Sequence, residues 1–202
     1  EIVYGPTANP NFIAHIAKDG EVLTLGNIKI KVLHTPGHTM ESTTCLLIDE
    51  KGDEKAIFTG DTLFIGDVGR PDLAVKTDLT REDLAGHLFD SLRNKIMNLP
   101  DDVIVYPGHG ARSACGKNMS AETSDTLGHQ KKFNYALRAD MTKEEFIKEV
   151  TTGLVDPPQY FPKNAVMNKM GYDSFEDVLK NGLTPLSAND FKVIKEEKEA
   201  LV

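Results

Sequence analysis

The spacing of hydrophobic and polar positions changes period twice along the chain. In IKIKVLH (28–34), Ile28, Ile30 and Val32 alternate with Lys29 and Lys31, the period of two of a strand with one wet face. Two short, mostly apolar runs follow, TTCLLID (43–49) and KAIFTG (55–60), bounded by acidic and glycine signals as buried strands are. The polar EKGDE between them has hairpin length. With EVLTLG (21–26) upstream, residues 21–60 read as an antiparallel meander, and EIVYGP at the start reads as a strand already under way. After a Gly-rich stretch, 60–72, the period lengthens. Leu84, Leu88, Leu92 and Ile96 recur every four residues and predict one buried face of a helix. Thr80 with Asp83 suits its N-terminus, and Pro100 stops it. DVIVYPGHG (102–110) returns to strand and breaks at Pro107-Gly108. From 121 onward the pattern is helical, with DPPQYFP (156–162) as a rigid break.

Composition narrows the class without naming a function. The 202 residues suffice for one sizeable domain with an appendage or for two small ones. Hydrophobic residues at 40% and charged residues at 27% are ordinary globular usage, which excludes disorder and fibrous repeats. Lys and Arg number 23 against 31 Asp and Glu, a net charge of -8 that repels phosphate backbones and anionic lipid, and the basic residues are scattered. Neither nucleic acid nor a membrane is expected as a partner. No apolar run nears the roughly 20 residues of a bilayer span, so a cytoplasmic location is expected. Cys45 and Cys115 read as free thiols. The chain opens without methionine and closes in a charged, helix-like stretch, LTPLSANDFKVIKEEKEALV, which together suggest a fragment or processed chain ending in a linker.

Three residues share one context: His38 follows VLHTPG, Asp61 follows IFTG, and His109 follows VIVYPG. Side chains at strand ends, held by stiff turns, can converge at one edge of a sheet with little freedom to rearrange, which a metal site requires. Two imidazoles and a carboxylate suit iron or zinc, and three such groups leave positions open for water or substrate. Taken singly, each has a plainer reading, as a loop hydrogen-bonder or turn residue. His15, His34, His87 and His129 lack the context and are assigned structural or surface roles.

TPGHT, TGDTLF and YPGHG, in this order and at these separations, resemble the later motifs of the metallo-β-lactamase fold. The continuations GDVGRPDL and GHGARSACGKNMS, and the tail through PLSANDF, resemble persulfide dioxygenases, particularly those fused to a downstream rhodanese domain. The resemblance implies an α/β (α+β) αββα sandwich, N-terminally truncated. It divides the chain into a partial domain over 1–133, a helical extension packed on it over 134–184, and a linker over 185–202. It further implies that His38 and Asp61 are two ligands of a mononuclear Fe(II). His109 would lie near that iron, where two-metal hydrolases of the same fold use it as a ligand. The substrates would be O₂ and a low-molecular-weight persulfide of glutathione or coenzyme A type, the products sulfite and thiol, and the assembly a homo-oligomer. The family's first motif, His-x-His-x-Asp-His, is not found: residues 1–37 hold only His15 and His34. Activity of residues 1–202 alone is therefore expected to be impaired.

Two further residues carry expectations. Arg70 either faces the anionic part of the thiol carrier or pins its loop through Asp67 or Asp72. Cys115, flanked by Arg112 and Lys117, either has its thiol pKa lowered by those charges and accepts or relays a persulfide sulfur, or is a small buried loop residue. Two rival functions stand beside the oxygenase. One is a glyoxalase II-like zinc thioester hydrolase, needing His109 as a ligand and Asp61 as a bridge. The other is an inert fragment or assembly domain.

Overall fold

A computed structural model describes residues 2–74, 79–111, 113–156, 159–171, 174–183 and 185–197. The chain begins with two short strands, β1 (Val3–Tyr4) and β2 (His15–Ile16), paired parallel in a ladder of their own. The meander follows as expected: β3 (Val22–Leu25), β4 (Ile28–His34), β5 (Thr43–Ile48) and β6 (Glu54–Gly60), each antiparallel to the last. The Gly-rich stretch is not plain loop. It folds into a two-residue hairpin, β7 (Leu63–Phe64) with β8 (Asp67–Val68), turning at Gly66 with φ +79°.

Helix α1 (Arg81–Ser91) opens on a reciprocal capping box between Thr80 and Asp83 and continues as one π turn, Leu92–Ile96. Strand β9 (Ile104–Pro107) then lies parallel to β6, the connection through α1 being a crossover. Strand β10 (Asp125–Thr126) closes the sheet, whose order is β10-β9-β6-β5-β4-β3. The remaining helices are α2 (Leu127–Phe133), α3 (Lys143–Thr151), α4 (Phe161–Met170), α5 (Phe175–Gly182) and α6 (Ala188–Glu197).

The core lies on one face of this sheet. Leu84, Leu88, Leu92 and Ile96, the four residues read as one helix face, are fully buried. The last three share a core cluster with Leu33, Leu46, Ile57 and Val105 of the strands. Burying each such side chain contributes about 1.5–3 kcal/mol. The cluster runs past the expected boundary at 133 and takes in Ala136, Leu137, Met141, Phe146 and Val150, so α3 packs on α1 as part of the same core. Helices α4 to α6 leave Met170, Phe175, Val178 and Phe191 exposed.

Register shows which face of the sheet each side of the alternating strand shares. Val32, Cys45, Phe58 and Tyr106 stand opposite one another across β4, β5, β6 and β9, and Ile30, Leu47, Ala56 and Ile104 form the next row. These rows lie on the face away from α1. Lys31 shares the opposite side with Leu46 and Ile57. The Ile-Ile-Val side of β4 is nonetheless its drier side, as expected: Val32 is buried and Ile28 and Ile30 are half-buried, while Lys29 is exposed.

Candidate metal centre

Since β4 and β6 run in one direction and β9 is parallel to β6, their C-terminal ends emerge at the same edge of the sheet. The three turns that follow them meet there. His38 is 8% exposed, and its Nε2 lies 3.2 Å from Asp61 Oδ2. His109 is half exposed, with its Nε2 3.4 Å from Asp61 Oδ1. Each carboxylate oxygen of Asp61 thus addresses a different imidazole.

Local packing explains why a Pro-Gly pair precedes His38. Helix α1 presses on the turn: Ser91 Oγ donates to Pro36 O at 2.8 Å, and a Cβ on Gly37 would lie 2.4 Å from Leu88 Cβ. Gly37 also has φ +151°, which side-chain-bearing residues adopt rarely. Beneath the turn, the buried hydroxyl of Thr35 contacts those of Thr44 at 3.1 Å and Thr62 at 2.9 Å, tying the His38 turn to the Asp61 turn. On the other side, Gly69 is packed so closely that a Cβ would lie 1.8 Å from Asp61 O.

The orientation of His38 bears directly on metal binding. Its Nδ1 lies 2.8 Å from the carbonyl of Arg70, which can only accept, so Nδ1 carries the proton. In the neutral ring Nε2 then presents a lone pair to the carboxylate of Asp61. Two acceptors at 3.2 Å call for a proton or a cation between them. A backbone acceptor on the far nitrogen is the usual orienting contact of a metal-binding imidazole.

Cys115 is the third donor at this point. His38, Asp61 and Cys115 each offer one ligand atom, and these atoms lie within 4.8 Å of one another, the group of His, Cys, Asp and Glu residues that meets in this way among the described residues. The expectation of a lowered thiol pKa is corrected. Burial pushes the Cys115 thiol up and the Asp61 charge adds to it, outweighing the opposite effects of Ser113 and Arg70. The ammonium of Lys117 is turned away, donating to Glu149 O at 2.6 Å and Thr152 O at 3.1 Å, and Arg112 lies outside the described residues.

Arg70 is buried, and its guanidinium forms a fork on Asp72, with Nε to Oδ1 and a terminal nitrogen to Oδ2 both at 2.6 Å. It also donates to Val155 O at 2.5 Å. Of the two readings open for it, this geometry is the loop-pinning ion pair, and the partner is Asp72. Arg70 and Lys117 also line a cavity of about 370 Å³ with Asn118 and residues 152–155.

Sequence reasoning missed the residue that fixes the Cys115 loop. Asp67, fully buried, accepts from the amides of Lys117 and Asn118 at 2.6 Å each, from the amide of Val68 and from the hydroxyl of Tyr135 at 2.8 Å. Its partners are mostly backbone amides, which leave no trace in a sequence. Three of the four histidines set aside are occupied elsewhere: His15 with Glu21, His34 with Met40 O, His129 with Asp125.

Residues 4–109 match the family model described as the metallo-beta-lactamase superfamily. The chain is 29% identical over 189 residues to a probable hydroxyacylglutathione hydrolase of Schizosaccharomyces pombe, covering 84% of this chain and 68% of that protein. It is similar to the crystal structure of a metallo-beta-lactamase from Staphylococcus aureus, at 35% identity and a TM-score of 0.74 over 82% of this chain and 48% of that one. A third similarity is to ETHE1 from Myxococcus xanthus, at 29% identity and a TM-score of 0.62 over 82% and 64% of the respective chains. The chain therefore spans between about half and two thirds of the length of these proteins.

Proposed function

This chain belongs to the metallo-beta-lactamase superfamily, and on that premise we propose that it acts as a non-haem Fe(II) persulfide dioxygenase on a low-molecular-weight persulfide. The observation that carries this reading is a sulfur set beside an imidazole–carboxylate pair: His38, Asp61 and Cys115 with their donor atoms within 4.8 Å. The motif resemblance to persulfide dioxygenases and the structural likeness to ETHE1 support it. His38 and Asp61 would hold the iron. When bound, Fe(II) supplies a redox-active centre with open positions for a sulfur donor and dioxygen together. In balance, one persulfide, one dioxygen and one water give one thiol and one sulfurous acid, which ionises to sulfite.

The chain's own groups have separable tasks. Arg70 O keeps the His38 ring in the tautomer that leaves Nε2 free. Asp61 supplies the negative charge that favours the oxidised metal, and His109, half exposed at its other oxygen, is placed to take and return a proton at the mouth. Cys115 is placed to accept or relay a sulfane sulfur. The Arg70–Asp72 pair is charge-neutral, while the Lys117 ammonium contacts carbonyls and forms no ion pair among the described residues, so Lys117 brings positive charge to the cavity of about 370 Å³. The anionic end of a glutathione- or coenzyme A-type carrier is proposed to lie there.

The test is oxygen uptake with sulfite determination, using Fe(II)-loaded protein and glutathione persulfide. Slow sulfite formation in step with oxygen is expected, and its loss in His38→Ala and in Asp61→Ala. Sulfite production unchanged by either substitution would sink the assignment. One observation favours a second reading: the two oxygens of Asp61 face His38 and His109 separately, as a carboxylate bridging two zinc ions would. That thioester hydrolase reading, with which the name of the S. pombe relative agrees, predicts two zinc per chain and oxygen-independent thioester cleavage.

A further inference from the structure

Cys115 has more to do at this site than its sequence context indicates. The thiol is 5% exposed, yet it is not packed as an apolar filler: its sulfur shares a pocket with an imidazole and a carboxylate. Cys45 provides the contrast, set on β5 in a row with Val32 and Phe58. Nor is the sulfur there by the accident of a loose loop. One residue clamps both flanks of the site, since Arg70 accepts from His38 Nδ1 through its carbonyl at 2.8 Å and donates its amide to Cys115 O at 2.9 Å. The loop is fastened again just beyond, by the amides of Lys117 and Asn118 on buried Asp67 and of Ser120 on Ile65 O. Gly116 permits that tight path, a Cβ there falling 2.9 Å from Asp67 Oδ2. Fixed backbone on both sides, burial, and two further donors facing the same point are the provisions made for a ligand.

We propose that Cys115 is a third protein ligand of the metal in the substrate-free site, so that the ion is held by a His38 nitrogen, an Asp61 oxygen and the Cys115 sulfur. The inference rests on the reading of this pocket as a metal site and adds a sulfur to it. An N, O and S donor set favours zinc, iron(II) or cobalt(II) over magnesium, calcium or manganese. The bond formed is sulfur to metal, and the bond broken is sulfur to hydrogen, with the proton released to solvent as the cation enters. No redox change is involved.

Anaerobic titration of the purified chain with cobalt(II), followed by absorption, tests this without catalysis. The wild type is expected to show visible ligand-field bands together with a near-ultraviolet sulfur-to-cobalt charge-transfer band. Cys115→Ser should lose the near-ultraviolet band and bind roughly tenfold or more weakly, while Cys45→Ser keeps both. Cobalt bound in a manner abolished by His38→Ala and Asp61→Ala, but with no charge-transfer band or with one that survives Cys115→Ser, overturns the sulfur ligand and leaves the metal site standing. A folded wild type that binds no cobalt overturns both. Should Cys115→Ser fail to fold, X-ray absorption of the cobalt-loaded wild type decides, since a shell of nitrogen and oxygen alone refutes the proposal.

Discussion

At the scale of single residues, the Asp61 carboxylate and the Arg70 guanidinium each depend on which partners the fold leaves within reach. His38 and Asp61 were legible because each sits one turn past a strand, and the fold brings them to 3.2 Å. The partner of Arg70 was not legible, because Asp67 and Asp72 are both close in sequence. Asp67 is taken by amides and Tyr135, so the guanidinium goes to Asp72. Removing one member of such a buried pair leaves the other charge without compensation, which typically costs about 3–5 kcal/mol. Arg70→Ala is therefore expected to lower the urea midpoint strongly, and Arg70→Ala with Asp72→Ala to recover part of the loss. A double variant no more stable than Arg70→Ala would show that the fork on Asp72 is not what holds this loop.

At the scale of elements, periodicity gave α1 and its buried face, but not what that face does at its edge. Leu88 faces the sheet core and also the Gly37 turn, so the helix both stabilises the fold and aims His38. Leu88→Ala should cost about 2–5 kcal/mol by leaving a cavity. It should also weaken cobalt binding, whereas Phe146→Ala, in α3 and packed on Phe89 of α1, should destabilise with little effect on the metal. Equal weakening in both would mean that global loosening, not the turn, is being read. The start of α2 offers a pH test. Burial pushes the Asp125 carboxyl up, but its contacts with His129, Gln130 and the Thr126 amide outweigh this and hold it below the usual range. A carboxylate depressed in the fold contributes stability above its unfolded pKa of about 3.9 and loses it as pH falls through the folded value. The stability gap between wild type and Asp125→Asn, measured by denaturant at stepped pH, should accordingly be steady at neutral pH and shrink below about pH 4. A gap that does not change on acidification would remove Asp125 from this role.

At the scale of the whole molecule, the strand alternation and its drier side were legible, but which side the helices pack on was not, since a period of two fixes which residues share a face and leaves open what covers it. Phe58 and Tyr106 stack at 5.5 Å on adjacent strands and are 45% and 42% exposed, in a row with Val32 and Cys45 and beside the row of Ile30, Leu47, Ala56 and Ile104. Within these rows Val32 and Ala56 are buried and the others, the two rings aside, half-buried, so the exposed part is the aromatic pair, and exposed aromatic surface of this kind binds hydrophobic dyes and favours association in water. Residues 1–202 are thus expected to enhance the fluorescence of such a dye under native conditions and to sediment as a concentration-dependent mixture. Replacing both aromatics, Phe58→Lys with Tyr106→Lys, should cut dye binding and favour the monomer. It should leave the thermal midpoint nearly unchanged, because neither ring belongs to the helix-side core. Dye binding that persists in this variant would move the exposed apolar surface elsewhere, with the half-open side chains of α4 to α6 the next place to look.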